Sequence, residues 1–360
     1  TGSATYDFWG GYRNGDNLYA NSLLALDART GKRIWHFQAV HHDVLDRDFP
    51  ANPNLIRIQK DGKWIDAVAQ ISKQGYTYVF ERETGKPVWP IVETPVTQTQ
   101  MPGEVSSETQ PIPTLPEPFM SLVYVEESIL NLSPEWEKDI RSQLSNAIFG
   151  DTWAPPHPEK SLVLFPGMDG GGEWGGASFD PESQTLYVNA NQVPWLIEMT
   201  PNANFGQVGQ SIYTNYCGNC HGIDRKGNLP SIPSLLDLKE TYSPESLSQL
   251  LQKGRGAMPS FSHISSEERG ILVDYLLGNA VDPNKKELEA ESSKLYPRYY
   301  MKGYKRLTTK EGIYGSNPPW GLLTAIDMNT GLKKWQIPLG SIDSLKAMGV
   351  ENTGIENYGG

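Results

Sequence analysis

Over residues 1–94 the apolar positions fall in short runs, broken by polar turns that carry glycine. The run Leu23-Leu24-Ala25-Leu26 ends on Asp27, passes through Ala28-Arg29-Thr30-Gly31-Lys32 and resumes at Arg33-Ile34-Trp35. The same phrase returns as Tyr78-Val79-Phe80-Glu81-Arg82-Glu83-Thr84-Gly85-Lys86-Pro87-Val88-Trp89, and again as Leu323-Thr324-Ala325-Ile326-Asp327-Met328-Asn329-Thr330-Gly331-Leu332-Lys333-Lys334-Trp335. Each copy predicts strand, acidic turn, strand and tryptophan. The glycine supplies the positive φ of the turn, and the acidic side chain can accept from turn amides. Trp35 and Trp89 lie 54 residues apart, a period of propeller blades or repeat arrays rather than of three unrelated hairpins.

Residues 95–118 carry six prolines and predict an extended surface crossing rather than a blade. Residues 126–146 predict a helix, with Ser133-Pro134-Glu135-Trp136 as cap and first turn. The run Phe165–Gly176, with Gly170-Gly171-Gly172-Glu173-Trp174 inside it, opens a further blade. The hairpin strands of that blade are Ala177–Pro181 and Thr185–Asn189. Near Pro201 the period changes from strand to helix. Phe205–Tyr216 predicts one helix, Ser243-Pro244-Glu245 starts a second that stops at Gly254, and Ser265-Ser266-Glu267-Glu268 is a capping box for a third ending at Gly278. A small helical domain therefore interrupts a β array. Charged residues 284–294 return the chain to strands near Tyr296.

Composition adds constraints. High glycine and proline, with ten tryptophans and seventeen tyrosines, suit turn-rich β structure. The net charge of −11 argues against nucleic acid as a partner. No apolar run reaches the roughly 18 residues of a membrane span.

The two cysteines of the chain stand together in Cys217-Gly218-Asn219-Cys220-His221. Thiols three positions apart with a histidine directly after them form a c-type haem attachment pattern. One helical turn presents both sulfurs to the vinyl groups of one porphyrin, and the next imidazole meets the iron. A zinc site would need a second ligand pair. Covalent haem attachment places the chain on the oxidising side of a bacterial membrane, in the periplasm or at the periplasmic face of the inner membrane. A leader, and with it membrane association through segments outside this sequence, is expected. Gly254-Arg255-Gly256-Ala257-Met258-Pro259 offers a thioether as the sixth ligand, with His263 as the rival. This Met-Pro loop resembles the distal loop of class I cytochromes c.

His41-His42-Asp43-Val44-Leu45-Asp46-Arg47-Asp48 follows the first blade tryptophan. On composition alone it reads equally as a solvated loop. Together with Thr30-Gly31-Lys32, Trp9-Gly10-Gly11, Gln70-Ile71-Ser72-Lys73-Gln74-Gly75, the Thr-Gln-Pro crossing and Glu173-Trp174-Gly175-Gly176, it resembles the quinoprotein dehydrogenases, most of all their membrane glucose dehydrogenase branch. These matches cover most of residues 1–195 and 314–360.

The resemblance implies an all-β propeller, here partial and of the eight-bladed quinoprotein type, with an inserted all-α cytochrome c domain. The expected division is 1–201 for the first blades, 202–282 for the cytochrome, and 283–360 for the linker and resumed blades, in a fragment of a longer chain. It implies pyrroloquinoline quinone (PQQ), calcium and haem c as cofactors. Asp46 matches the general base beside the metal and Lys73 the residue that bonds the quinone oxygens. Glu173 and Trp174 match contacts of the cofactor rim. Thr5 and Ser3 lie where the family approaches its calcium, although an asparagine is usual at Ser3. The implied activity is hydride transfer from a sugar or alcohol hydroxyl to PQQ, then electron transfer to the haem and on to a quinone or cytochrome acceptor. The alternative is a non-catalytic propeller scaffold carrying an electron-transfer cytochrome, which would need neither Asp46 nor Lys73.

Overall fold

The computed structural model describes residues 1–5, 7–201, 208–222, 224–227, 232–279, 298–302 and 305–358. Two compact units separate along the chain. Thr1–Thr200 joins Tyr300–Gly360 in a β unit, and Pro201–Tyr299 forms the other.

The β unit begins with β1 (Ser22–Leu26) paired antiparallel to β2 (Arg33–Gln38). β3 (Asn54–Lys60), β4 (Lys63–Ile71) and β5 (Thr77–Glu81) make a three-stranded antiparallel sheet. The second half of β4 and most of β5 are buried, as their unbroken apolar runs require. β6 (Ile91–Pro95) pairs with β7 (Thr109–Pro113). The proline-rich segment is thus partly a two-stranded ribbon rather than a plain extended crossing. Pro111 and Pro113 have no amide proton to donate, which confines them to such an edge. β7 is also not wholly superficial: buried Gln110 accepts from the His41 amide and donates to the His41 carbonyl, both at 2.9 Å.

Helix α1 covers Pro134–Gln143, shorter than the 126–146 expected. Pro134 fits only the first turn, so the helix cannot begin before it. The Ser133 hydroxyl caps it by accepting from the Trp136 amide at 3.2 Å.

The remaining strands are β8 (Ala147–Ile148), β9 (Ser161–Leu164), β10 (Ala177–Asp180), β11 (Thr185–Asn191), β12 (Trp195–Ile197), β13 (Met199–Pro201), β14 (Tyr299–Met301), β15 (Lys305–Arg306), β16 (Gly321–Asp327) and β17 (Lys333–Pro338). One sheet has the order β10-β11-β16-β17, and another the order β15-β12-β9-β8. The first of these joins residues on either side of the helical stretch into a single four-stranded unit.

The repeated phrase has a repeated geometry. Asp27 Oδ1 accepts from the Thr30 amide and hydroxyl, both at 2.9 Å, and Asp327 Oδ1 accepts from the Asn329 amide at 2.9 Å. Gly31, Gly85 and Gly331 have φ of +69°, +71° and +79°. Trp35 lies flat on the second turn: a Cβ built on Gly85 would stand 2.5 Å from its indole. Its Nε1 donates to the Arg82 carbonyl at 3.0 Å. Trp89 likewise borders Gly331. The tryptophan that closes one copy is seated on the glycine turn of another.

The chain leaves the β unit along β12 and β13 and returns along β14 and β15. Trp195 pairs with Arg306 and Leu196 with Lys305, the Lys302 amide donates to the Glu198 carbonyl at 2.7 Å, and β13 pairs with β14. The helical stretch is therefore inserted in the chain between the paired strands β13 and β14.

In the second unit, α2 (Val208–Tyr216), α3 (Gly218–His221), α4 (Pro244–Lys253) and α5 (Ser266–Leu277) surround a core that includes Ile212, Tyr213, Cys217, Leu251, Phe261 and Leu272. Ser243 and Ser265 cap α4 and α5 by accepting from the Ser246 and Glu268 amides. Gly209 lets α2 approach α5 closely, because a Cβ there would meet the Cβ of Tyr275 at 2.5 Å. The start expected at Phe205 and the charged linker 284–294 lie outside the described residues. No helix among the described residues is long and apolar enough to cross a membrane.

Candidate functional site

The segment His41–Asp48 folds into a tight turn held from inside by Asp43. Its buried carboxylate accepts from the amides of Leu45 (2.8 Å) and Arg47 (2.6 Å) and from Asn21 Nδ2 (2.7 Å). Burial raises its pKa, although those three donors oppose the rise. The turn puts His42 and Asp46 at positive φ, 47° and 55°, a left-handed conformation that His and Asp adopt more readily than most residues. Asp46 is thereby turned toward Lys73. Lys73 Nζ lies 2.8 Å from Asp46 Oδ2 and 2.9 Å from Asp48 Oδ1. Asp46 Oδ1 accepts from the Ser3 hydroxyl at 2.7 Å. Burial works to lower the Lys73 pKa, but the two carboxylates outweigh it and the net shift is upward. Asp7 is pushed up to about 6, first by burial and then by Asp46 and Asp43.

The glycine run closes over this pair. The Gly171 amide donates to the Lys73 carbonyl at 2.7 Å. A Cβ on Gly170 would stand 2.5 Å from Lys73 Cγ, and one on Gly172 would stand 2.9 Å from the Ser72 carbonyl. Three consecutive glycines are what this close approach requires. They carry Glu173 to a buried position beside Asn191, whose Nδ2 lies 3.5 Å from Glu173 Oε1. Trp174 points the other way and is 81% exposed.

The structure thus brings Asp46, Lys73 and the Glu173 loop together. Thr5 is exposed, and Ser3 is the residue that touches Asp46. No three His, Cys, Asp or Glu side chains gather as a metal site among the described residues. Asp46, beside Ser3 and Lys73, is the carboxylate here that could contribute to a calcium site.

Glu104 lay outside the sequence reading, and Arg47 and Asp48 stood in the His41–Asp48 segment without these contacts assigned. Asp48 shares Lys73 with Asp46. Arg47, almost fully buried, donates to the carbonyls of Pro166 (2.7 Å) and Gly167 (3.2 Å) and so ties the Asp46 turn to the glycine loop; burial lowers its pKa to about 10. Glu104 meets His42 Nε2 at 2.6 Å in the interior and accepts from the Gly10 amide. Arg47 and Asp48 flank Asp46, and that adjacency was the available signal. His42 and Glu104 are 62 residues apart, with no pattern linking them.

In the helical unit, Cys217 is buried and Cys220 exposed. Cys217 caps the short helix α3, and the His221 amide donates to its carbonyl at 2.9 Å. His221 Nδ1 lies 2.9 Å from the Pro233 carbonyl. A carbonyl only accepts, so Nδ1 holds the proton and the Nε2 lone pair is left for a metal. Two thiols and that lone pair fit haem c. Met258, partly buried against the helical core, sits in a turn whose amide and carbonyl bond those of Arg255, both at 3.0 Å. His263 is occupied differently: its ring stacks edgewise on Tyr216, with centroids 5.5 Å apart.

Comparison with known proteins gives the class. The sequence profile of the PQQ glucose/ethanol/alcohol dehydrogenase β-propeller domain matches residues 1–235 and 267–360, and the chain belongs to that family. A second profile, cytochrome C oxidase, cbb3-type, subunit III, matches residues 205–276. Among individual relatives, the chain is 37% identical to the quinoprotein glucose dehydrogenase of Gluconobacter oxydans over 208 residues, which is 56% of this chain and 25% of that protein. It is 29% identical to the quinate/shikimate dehydrogenase (quinone) of Acinetobacter baylyi over 97% of this chain and 35% of that protein. The chain thus spans a quarter to about a third of the length of these relatives. The solved quinohemoprotein alcohol dehydrogenase of Comamonas testosteroni superposes with a TM-score of 0.41 at 17% identity, covering 93% of this chain and 32% of that one.

Proposed function

We propose that the whole protein is a quinohaemoprotein dehydrogenase. It would oxidise a sugar or alcohol hydroxyl with PQQ and pass the electrons through haem c to a quinone or cytochrome acceptor, at the periplasmic face of a bacterial membrane. The β unit would form part of an eight-bladed propeller, and the helical unit an all-α cytochrome c. The observation that carries this reading is the Lys73 bridge between Asp46 and Asp48 under the glycine loop. A propeller used only as a scaffold has no need of a buried lysine bridging two aspartates.

PQQ, when bound, supplies a quinone carbon that accepts hydride. Lys73 would hold the cofactor's oxygens and steady negative charge developing on them. Asp46 accepts two hydrogen bonds here and, as a carboxylate, keeps lone pairs for a third partner. It is the group that would orient the substrate hydroxyl and take its proton. Arg47 and Asp43 fix the turn, so Asp46 need not reorganise to do so. Glu173 would border the cofactor, and exposed Trp174 would offer it an aromatic edge. Asp46 and Thr5 would contribute to calcium. In the helical unit, Cys217 and Cys220 would tether the haem, and His221 and Met258 would ligate its iron.

The test uses full-length protein loaded with PQQ and calcium. Anaerobic addition of individual sugars and alcohols should reduce the haem for at least one of them. A haem that dithionite reduces, but no hydroxyl substrate does, would contradict the reading.

A further inference from the structure

Glu173 is a carboxyl in a setting made for a neutral group. It is 4% exposed, and the glycine run that leads to it lies close against Ser72 and Lys73. Its partners are neutral: Asn191 Nδ2 at a long 3.5 Å, and the amide of Trp174. No ion pair to Glu173 occurs among the described residues. A buried carboxylate without a cation is costly.

The charges around it do not change that balance. Asp169, on the same loop, repels a second negative charge, and is itself held by Arg306 at 3.2 Å and the Tyr358 hydroxyl at 3.1 Å. Lys73 attracts, but its ammonium is shared between Asp46 and Asp48. From β11 comes Asn191, whose side-chain amide is itself bonded to the Asn357 backbone. Burial first and Asp169 second raise the Glu173 pKa to about 8.

We propose that Glu173 works as a neutral acid, donating its O–H to an anionic oxygen of the cofactor at this rim. The inference rests on the PQQ reading and deepens it. PQQ is a polyanion. An ionised Glu173 would repel it, whereas a protonated Glu173 adds a hydrogen bond that a carboxylate cannot give.

The experiment measures PQQ affinity in the full-length protein by quenching of tryptophan fluorescence, from pH 6.5 to 9.5, without turnover. Wild-type affinity should fall above pH 8, approaching about tenfold per pH unit as Glu173 ionises. Glu173→Gln, always neutral and of the same shape, should bind within about threefold of wild type at pH 7 and keep a flat profile. Titration of PQQ itself affects both proteins alike, so the difference between them isolates Glu173. Asp169→Asn removes the repelling charge and should start the fall at lower pH. Identical profiles for wild type and Glu173→Gln, or a tenfold weaker Gln variant at pH 7, would overturn the proposal while leaving PQQ binding in place. No saturable binding by either protein would remove the cofactor reading and this one with it.

Discussion

Lys73 Nζ stands 2.8 Å from the Asp46 carboxylate, although the two residues come from different loops 27 positions apart. The Lys73 side chain is only 10% exposed, and its ammonium has a second carboxylate, Asp48, at 2.9 Å. One buried cation therefore holds two anions, and its removal would leave them facing each other.

Lys73→Met should accordingly destabilise the protein by about 1–3 kcal/mol. That is less than the roughly 3–5 kcal/mol of a fully buried broken pair, because the Asp46 side chain is 31% exposed. The folded pKa of Lys73 is raised, so its contribution is complete below the unfolded lysine value of about 10.4 and is lost as pH climbs through the higher folded value. Urea unfolding should give a difference between wild type and variant that is flat from about pH 7 to 10 and shrinks beyond.

The seating of tryptophan on glycine gives a paired prediction. Gly85→Ala puts a methyl 2.5 Å from the Trp35 ring at a φ of +71°, whereas Gly31→Ala, at +69°, meets nothing within 4 Å. Gly31→Ala should cost about 1 kcal/mol, the left-handed penalty alone. Gly85→Ala should cost about 1–3 kcal/mol more through overpacking. Equal losses in thermal unfolding would mean that the tryptophan seat contributes nothing.

The hairpin strands, their turns and the Cys217–His221 pattern were legible because each is written locally. An acidic residue, Thr-Gly and a tryptophan specify one turn, and two thiols with a histidine specify one site. The pairing of Gln110 with His41, the Arg47 clamp on Pro166 and Gly167, and the His42–Glu104 contact are long-range and leave no periodic trace. Asp43 shows the limit most clearly. In sequence it is as good a candidate base as Asp46, but in the fold its oxygens are used up by two amides and Asn21. The proline segment misled because alternate prolines suggest extended surface, while the amides between them remain free to pair.

The two cysteines should differ before haem is attached. Burial pushes Cys217 up to about 11, so at pH 8 it is almost wholly thiol and shielded, while Cys220 is exposed. Iodoacetamide on haem-free protein at pH 8 should label Cys220 and spare Cys217. Mass spectrometry should find neither labelled once haem is bound.

Met258→Ala should lower the haem potential and abolish the methionine–iron charge-transfer band, because thioether ligation raises the potential. His263→Ala should leave both close to wild type, since its ring is engaged with Tyr216. The reverse pattern in redox titration would move the sixth ligand to His263.

In the proposed reaction Asp46 takes the substrate proton. Asp46→Asn keeps the shape and can still accept from Ser3, but it cannot hold that proton. In full-length enzyme loaded with PQQ and calcium, stopped-flow measurement of substrate-driven haem reduction should slow by about 10²–10⁴-fold, with the dithionite-reduced haem spectrum unchanged. Asp48→Asn, which leaves Lys73 its bond to Asp46, should slow it far less. Near-normal haem reduction in Asp46→Asn, or a loss confined to Asp48→Asn, would contradict the account.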